Sequence, residues 1–243
     1  MLLTVLMPLY NEEKTAKELI DRILGLPIDL ELIIINNGST DSTGEIAGQF
    51  KSRPNVRIIQ RYKNIGKGDA IVVGLEHAAG KYTVIQDGDL EYDPGDIANM
   101  VELAEKNNAV AVFGSRILNP QAGISYQRYL WGGKLLTFLA NLLYGVGITD
   151  ESTCYKMTRT DIMKRLHLEC QRFEFCPELV AKLGRNRIKI FEIPIFYKPR
   201  SFTEGKKIRW IDGAEAIWTL LKYRFKSKSG FLVDKGDKTE DNR

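Results

Sequence analysis

Short apolar runs alternate with amphipathic segments through the first half of the chain. The apolar runs predict five buried strands, at 2–7, 30–35, 56–60, 82–86 and 109–113. The segments between them predict helices at 12–24, from the turn at 38–41 to about Phe50, at 66–79 and at 96–106. Apolar strands that alternate with helices are typical of a mostly parallel sheet with helices on both faces. The pattern therefore predicts a Rossmann-like α/β fold.

The pattern changes after Gly114. Apolar segments there predict helices at 126–144, 159–167, 177–183 and 208–225, and strands at 153–157 and 188–195. Pro194 has no backbone N–H to donate, so the last strand is expected near an edge of the sheet.

No long linker interrupts the chain, so we predict one domain over residues 1–226. Its two halves, 1–114 and 115–226, differ in their order of predicted strands and helices. Residues 227–243 are basic and then mixed in charge, with few large apolar residues, and predict a flexible tail.

Composition narrows the classes of protein that this chain could be. Three cysteines at no metal-ligand spacing predict reduced thiols of a cytoplasmic protein, and two histidines make a histidine-based zinc site a poor fit. The first residues lack the basic start of a signal peptide, and no stretch has the roughly 20 uninterrupted apolar residues of a membrane span. We therefore expect a protein without a leader or a membrane-spanning helix.

The net charge of +4 conceals an asymmetry along the chain. Residues 1–114 carry 11 basic and 17 acidic side chains, whereas residues 115–243 carry 24 and 14. This distribution suggests two anionic partners, one bound through a metal cation and the other bound directly by arginine and lysine. No nucleic-acid recognition motif is present, so nucleic acid is not an expected partner.

Polar clusters follow the five strands predicted in the first half, at the ends where ligands bind in parallel sheets. They lie at 8–12, 36–41, 63–70, 87–91 and 114–116. In the fourth cluster Asp87, Asp89 and Glu91 alternate, which places them on one side of an extended chain about 7 Å apart. Mg²⁺ or Mn²⁺ would offset their repulsion and hold a diphosphate, although Asp-Gly is also a common solvated turn.

The ordered series of motifs resembles the inverting glycosyltransferases of family 2, which have the GT-A fold, and within them the polyprenyl-phosphate branch. The segments that carry the resemblance are 7–12, 38–41, 64–68, 87–94 and 114–116, with later matches at 153–156, 172–175 and 204–208. The resemblance covers about residues 1–226. It implies transfer of a hexose from a UDP- or GDP-sugar to a polyprenyl phosphate, with a nucleotide-sugar half at 1–114 and an acceptor half at 115–226.

The resemblance also implies a role for individual residues. The nucleotide sugar would be bound by Pro8, Tyr10, Glu12, Asn36, Asn37, Lys67 and Asp87. Asp87, Asp89 and Glu91 would hold the metal, and Asp89 and Arg116 would serve catalysis. The acceptor phosphate would be bound by Arg116, Arg128, Arg200 and Lys206.

Two positions depart from the family pattern, which usually has two aspartates before Gly38. Here the residues are Asn36 and Asn37. An asparagine can donate as well as accept hydrogen bonds, so the preference for a nucleobase is open. A simple Asn-Gly turn is the alternative interpretation.

Three hypotheses about function remain open. Two are enzymes that differ in their acceptor, and one is a protein without catalytic activity. A lipid phosphate is already anionic and needs only positioning by cations. A saccharide hydroxyl would need a general base, for which Asp150 and Glu151 are the candidates, unless they form a solvated loop. A non-catalytic nucleotide-sugar binding module is the third hypothesis.

Membrane contact depends on the helices predicted at 126–144 and 208–225. Both mix aromatic and apolar residues with basic ones, a combination that suits an interfacial helix at the cytoplasmic face of a membrane. The alternative is that both helices only cover the sheet.

Overall fold

The computed structural model describes residues 1–123, 127–200 and 210–226. The strands are β1 Leu3–Leu9, β2 Leu30–Asn37, β3 Val56–Arg61, β4 Tyr82–Ile85, β5 Ala111–Ser115, β6 Lys156–Arg159 and β7 Ile190–Pro194. The helices are α1 Ala16–Leu24, α2 Thr43–Gly48, α3 Lys67–His77, α4 Gly95–Asn107, α5 Gln127–Tyr144, α6 Thr160–Arg165, α7 Phe175–Arg185 and α8 Trp210–Phe225.

The seven strands form one sheet in the order β3-β2-β1-β4-β6-β5-β7. Strand β6 runs antiparallel to both of its neighbours, and the other pairings are parallel. Because β6 comes from the second half of the chain and lies between β4 and β5, the two halves share this sheet.

The five strands predicted in the first half are confirmed. The apolar runs of β1, β2, β4 and β5 become buried strands because both faces of the sheet are covered there. Strand β3 lies at an edge of the sheet and is only partly buried, so the prediction of a buried strand is wrong at that position. In β2, Leu32 and the three isoleucines that follow it are fully buried. Helix α1 shows the complementary pattern: Ala16, Leu19, Ile20 and Ile23 face the core, and charged residues lie on its other side.

The second half differs in detail from the sequence prediction. Strand β6 begins at Lys156, three residues after the predicted start, and helix α7 is longer than predicted at both ends. Strand β7 is an edge strand, as Pro194 predicted. The predicted tail at 227–243 lies outside the described residues.

Helices α5 and α8 pack against each other and against α7. Each also leaves large apolar side chains exposed to solvent. These are Trp131, Leu135, Phe138 and Leu142 on α5, and Ile211, Trp218, Leu221 and Phe225 on α8. None of the described helices is long and apolar enough to cross a bilayer.

Candidate active site

The loops after β1 and β4 are packed closely together at the carboxyl edge of the sheet. A Cβ added at Gly88 would lie 2.5 Å from the side chain of Leu9 and 3.1 Å from that of Glu12, so only glycine fits there without movement. The Thr15 hydroxyl donates to the carbonyl oxygen of Gly88 at 2.7 Å. These contacts hold the acidic segment that starts at Asp87 against the first loop.

Strand β2 ends in two asparagines whose side chains act as hydrogen-bond donors. Asn37 donates to Asn64 Oδ1 at 2.9 Å and to the Gly66 carbonyl at 3.0 Å. Asn36 donates to Gln60 Oε1 at 2.9 Å. Both asparagines are 2% exposed. A simple Asn-Gly turn does not require these buried bonds to distant residues. A carboxylate could not make them, because it has no hydrogen to donate.

Lys67, the first residue of α3, forms an ion pair with Asp87 at the end of β4. Its ammonium also lies 3.1 Å from the sulfur of Cys154. Burial lowers the pKa of Lys67, but the Asp87 carboxylate more than offsets this effect, so the pKa lies well above its usual value. Lys67 is therefore a fixed positive charge beside the first of the three predicted metal ligands.

Arg200 places its guanidinium among three carboxylates. It forms an ion pair with Asp89, lies 3.4 Å from Glu91 through Nε, and lies 3.5 Å from Glu12 through Nη1. Arg200, which was predicted to bind the acceptor phosphate, therefore contacts residues that were predicted to bind the nucleotide sugar and its metal. Burial, together with the charges of Asp87 and Glu91, raises the pKa of Asp89 to about 7, and Arg200 opposes that rise.

Glu91 is also held by the residues that lead to Arg200. The Tyr197 hydroxyl donates to Glu91 Oε2 at 2.8 Å, and the main-chain N–H of Arg200 donates to Oε1 at 3.0 Å. Tyr197 was not predicted from the sequence. No local pattern signals a contact between residues 106 positions apart.

Arg116 directly follows β5 and is clamped by Asp150. Its Nε and Nη2 each lie 2.7 Å from one oxygen of that carboxylate. Its guanidinium also lies over the ring of Tyr197, 5.0 Å from the centroid. Burial raises the pKa of Asp150, but Arg116 more than offsets this effect, so the pKa is lowered overall. A carboxylate held in this way is a weak general base.

Glu151, the second candidate base, is only 1% exposed. Burial raises its pKa, and Ser152 donates to its Oε2 at 3.0 Å. Its other oxygen has no hydrogen-bond partner among the described residues. The solvated-loop interpretation of Asp150 and Glu151 is therefore wrong, because both carboxylates are buried.

The three predicted metal ligands do not form one ligand cluster. Among the described residues, no three histidine, cysteine or carboxylate side chains are grouped so that they could hold a metal. Glu91 faces Tyr197 and Arg200 instead. The donor set still fits Mg²⁺ or Mn²⁺, which bind one or two carboxylates together with substrate phosphates. Arg200 already places a cation against the Asp89 carboxylate.

The remaining predicted residues are distributed around this site. Pro8 lies near the end of β1, and the partly buried Tyr10 follows that strand. The N–H of Glu12 donates to the Thr43 hydroxyl at 2.8 Å. The side chain of Arg128 and all of Lys206 lie outside the described part of the chain.

Comparison with known proteins identifies the family. The model of glycosyl transferase family 2 matches residues 4–166, which is more than half of the chain. The chain belongs to this family. The matched region contains all five polar clusters at the ends of the first strands.

Two curated relatives act on lipid phosphates according to their names. Dodecaprenyl-phosphate galacturonate synthase of Rhizobium johnstonii is 30% identical over 186 residues, which are 74% of this chain and 54% of that protein. A UDP-N-acetylglucosamine–dolichyl-phosphate N-acetylglucosaminyltransferase of Methanococcus voltae is 28% identical over 85% of this chain and 90% of its own. The chain thus spans about half the length of the Rhizobium protein.

Among solved structures, the chain is similar to glucosyl-3-phosphoglycerate synthase from Mycobacterium tuberculosis in complex with Mn²⁺, uridine diphosphate and phosphoglyceric acid. The TM-score is 0.68 at 20% identity, over 94% of this chain and 80% of that one. At this identity the likeness shows the fold. The predicted family and the predicted GT-A fold are confirmed, and the roles of single residues stay predictions.

Proposed function

We propose that this family 2 protein transfers a hexose from a nucleoside-diphosphate sugar to a polyprenyl phosphate, with inversion at the anomeric carbon. The observation that carries the proposal is the clamp between Arg116 and Asp150. It holds a cation against the ring of Tyr197, whose hydroxyl donates to Glu91, while it occupies one of the two carboxylates that could serve a hydroxyl acceptor as a base. The names of the two relatives, which act on dodecaprenyl and dolichyl phosphates, support the lipid acceptor.

The donor would bind along the carboxyl edge of the sheet. Asn36 and Asn37 would border the nucleobase, with Pro8, Tyr10 and Glu12 beside them. Asp87 and Asp89 would hold Mg²⁺ or Mn²⁺, with Lys67 beside the diphosphate. The metal would stabilise the negative charge of the departing nucleoside diphosphate.

The acceptor phosphate would approach from the side of Arg116 and Arg200. A phosphate oxygen is already anionic at neutral pH, so it can attack without giving up a proton. The two arginines would orient it and reduce its repulsion from the donor diphosphate. Arg128 and Lys206 are proposed to assist from outside the described part of the site.

A lipid acceptor also requires contact with a membrane surface, which we assign to α5 and α8. The exposed stripe on α5 repeats at helical spacing, from Trp131 through Leu135 and Phe138 to Leu142. Lys134 lies 5.4 Å from the ring centroid of Trp131, so an aromatic and a basic group stand together on this stripe. Such pairs suit the headgroup region of an anionic membrane.

The test offers radiolabelled UDP- and GDP-hexoses with polyprenyl phosphate, Mg²⁺ or Mn²⁺, and a chelator control. We expect the label to pass into the organic phase with one of the donors, and chelation to stop the transfer. Label that passes only to water-soluble saccharides would favour a hydroxyl acceptor instead. Donor binding without transfer or hydrolysis would favour a binding module.

Asp89→Asn tests the carboxylate in the same assay. We expect turnover to fall at least about a hundredfold, because charge stabilisation at the leaving group is lost. Asp93→Asn is the matched control, since exposed Asp93 lies in the same segment and accepts from the Gly95 N–H at 3.0 Å, a bond that asparagine can keep. Full activity of Asp89→Asn would contradict the role of that carboxylate.

A further inference from the structure

The guanidinium of Arg200 occupies the centre of the acidic cluster. Three carboxylates surround it: Glu12 comes from the loop after β1, and Asp89 and Glu91 come from the loop after β4. Its side chain is 20% exposed, and those of the three acids are 12–13% exposed. One arginine therefore compensates the charge of a largely buried site that would otherwise be strongly negative.

Two main-chain N–H groups hold the segment that carries Arg200 against Glu91. The N–H of Arg200 donates to Glu91 Oε1 at 3.0 Å, and the N–H of Lys198 donates to the Glu91 carbonyl oxygen at 2.8 Å. Tyr197 and Tyr92 form an isolated antiparallel bridge just before this segment. The main chain that carries Arg200 is thus held against the acidic loop, so its guanidinium starts within reach of the three carboxylates.

We propose that Arg200 is the resident counter-ion of this cluster, and that a divalent cation binds Asp89 only by displacing it. The proposal rests on the proposed function, because it assigns the same carboxylate to the metal. The proposal adds a competition between two cations. The Arg200 guanidinium occupies the site before the donor arrives, and the divalent metal occupies it afterwards. Once displaced, the Arg200 guanidinium would be free to bind the acceptor phosphate, so metal and donor binding would prepare the acceptor side of the site.

The physical reason is that the two cations need the same oxygen atoms. Arg200 donates directly to Asp89 Oδ2, so a metal at that oxygen would stand within contact distance of the guanidinium. Like charges at such a distance repel strongly in a partly buried site. The displaced guanidinium keeps its charge, since an arginine is not deprotonated in proteins, and a phosphate is a suitable new partner for it.

The competition predicts a gain of metal affinity when the arginine is removed. In the full chain without donor or acceptor, Mn²⁺ binding is measured by electron paramagnetic resonance of free Mn²⁺. We expect Arg200→Ala to bind Mn²⁺ at least tenfold more tightly than the unchanged protein. Arg200→Gln, which keeps most of the side-chain length without the charge, is expected to change in the same direction.

Lys198→Ala is the matched control. It removes one positive charge from an exposed position two residues earlier, so it lowers the general positive potential by the same amount. We expect its Mn²⁺ affinity to stay within twofold of the unchanged protein. An equal gain in Lys198→Ala would show a general charge effect and overturn the competition.

Unchanged or weaker Mn²⁺ binding in both Arg200 variants, with circular dichroism showing them folded, would also overturn the proposal. A variant that simply failed to fold would lose metal affinity, whereas the prediction is a gain. Because the measurement uses neither sugar nor lipid, it can fail while hexose transfer is observed. It can equally succeed if the acceptor proves to be something other than a polyprenyl phosphate.

Discussion

Asp150 holds the guanidinium of Arg116 through two hydrogen bonds of 2.7 Å and also accepts from its main-chain N–H at 3.0 Å. Glu192 in turn accepts from the N–H groups of Thr149 and Asp150, at 2.8–3.3 Å. A buried carboxylate with these bonds orients the arginine. We therefore interpret Asp150 as a positioning residue for Arg116.

The first prediction tests that interpretation with Asp150→Asn. Asparagine can accept one bond from Arg116 but supplies no charge, so we expect the KM for the lipid acceptor to rise about tenfold and kcat to fall less than that. The free energy of unfolding should fall by about 2 kcal/mol, since Arg116 loses its partner while remaining partly solvated. Steady-state kinetics and denaturant unfolding measure both effects.

Glu192→Gln serves as the control for this prediction, because glutamine can still accept from Thr149 and Asp150. A loss of kcat above a thousandfold in Asp150→Asn, with an unchanged KM, would identify Asp150 as a general base. That result would favour the hydroxyl acceptor.

The second prediction concerns the two asparagines at the end of β2. Asn37→Asp should lower the free energy of unfolding by about 2 kcal/mol, because a carboxylate would face the oxygens of Asn64 and Gly66 that the amide now bonds. Asn36→Asp should cost less, since the Gln60 amide can turn and donate to it. Thermal unfolding of the two variants compares the costs, and equal costs would contradict the assigned bonds.

The hydrophobic pattern was sufficient to predict the strands, but it misplaced the start of β6. That strand begins with Lys156, which is fully buried. Its ammonium donates to the Glu151 carbonyl at 2.6 Å and lies 4.2 Å from the ring centroid of Phe113. A lysine satisfied in this way breaks the apolar run that would mark a buried strand, so the prediction began three residues too early.

The candidate site was predictable as a set of loops but not as a set of contacts. Parallel strands bring their carboxyl ends to one edge, so Asp87 and Asn37 could be placed near each other from the sequence. The pairing of Asp89 with Arg200 spans 111 positions and depends on how the segment after β7 turns back over the sheet. No spacing rule contains that information.

The third prediction is a pH dependence at Asp96, near the start of α4. Burial raises the pKa of Asp96 from 3.8 to about 6, although the Phe196 N–H donates to it at 2.7 Å and opposes the rise. The folded chain therefore binds this proton more tightly than the unfolded chain does. The contribution of Asp96 to the free energy of unfolding becomes less favourable as the pH rises from about 4 to above 6.

Asp96→Asn removes this titration and can keep the bond from Phe196. We expect the variant to be more stable than the unchanged protein by about 2 kcal/mol at pH 7.5, and the difference to vanish near pH 4. Glu102→Gln, at an exposed position of the same helix, should show no such trend. Urea unfolding at several pH values measures it, and a difference that does not change with pH would contradict the assignment.

The last prediction concerns the exposed apolar residues of α5 and α8. Phe138 is 60% exposed and Trp218 is 65% exposed, so insertion into a lipid headgroup region would bury most of each side chain. We expect Phe138→Ser and Trp218→Ser each to weaken binding to anionic vesicles about tenfold, because burial of such a side chain contributes roughly 1.5–3 kcal/mol. Tyr62→Ser is the control, since Tyr62 is fully exposed and directly follows β3. Vesicle co-sedimentation measures the binding, and transfer to a short-chain, water-soluble polyprenyl phosphate should be nearly unchanged in both variants. If all three variants bound vesicles equally, this surface would have another partner, because lipid contact through α5 and α8 requires these side chains to enter the membrane.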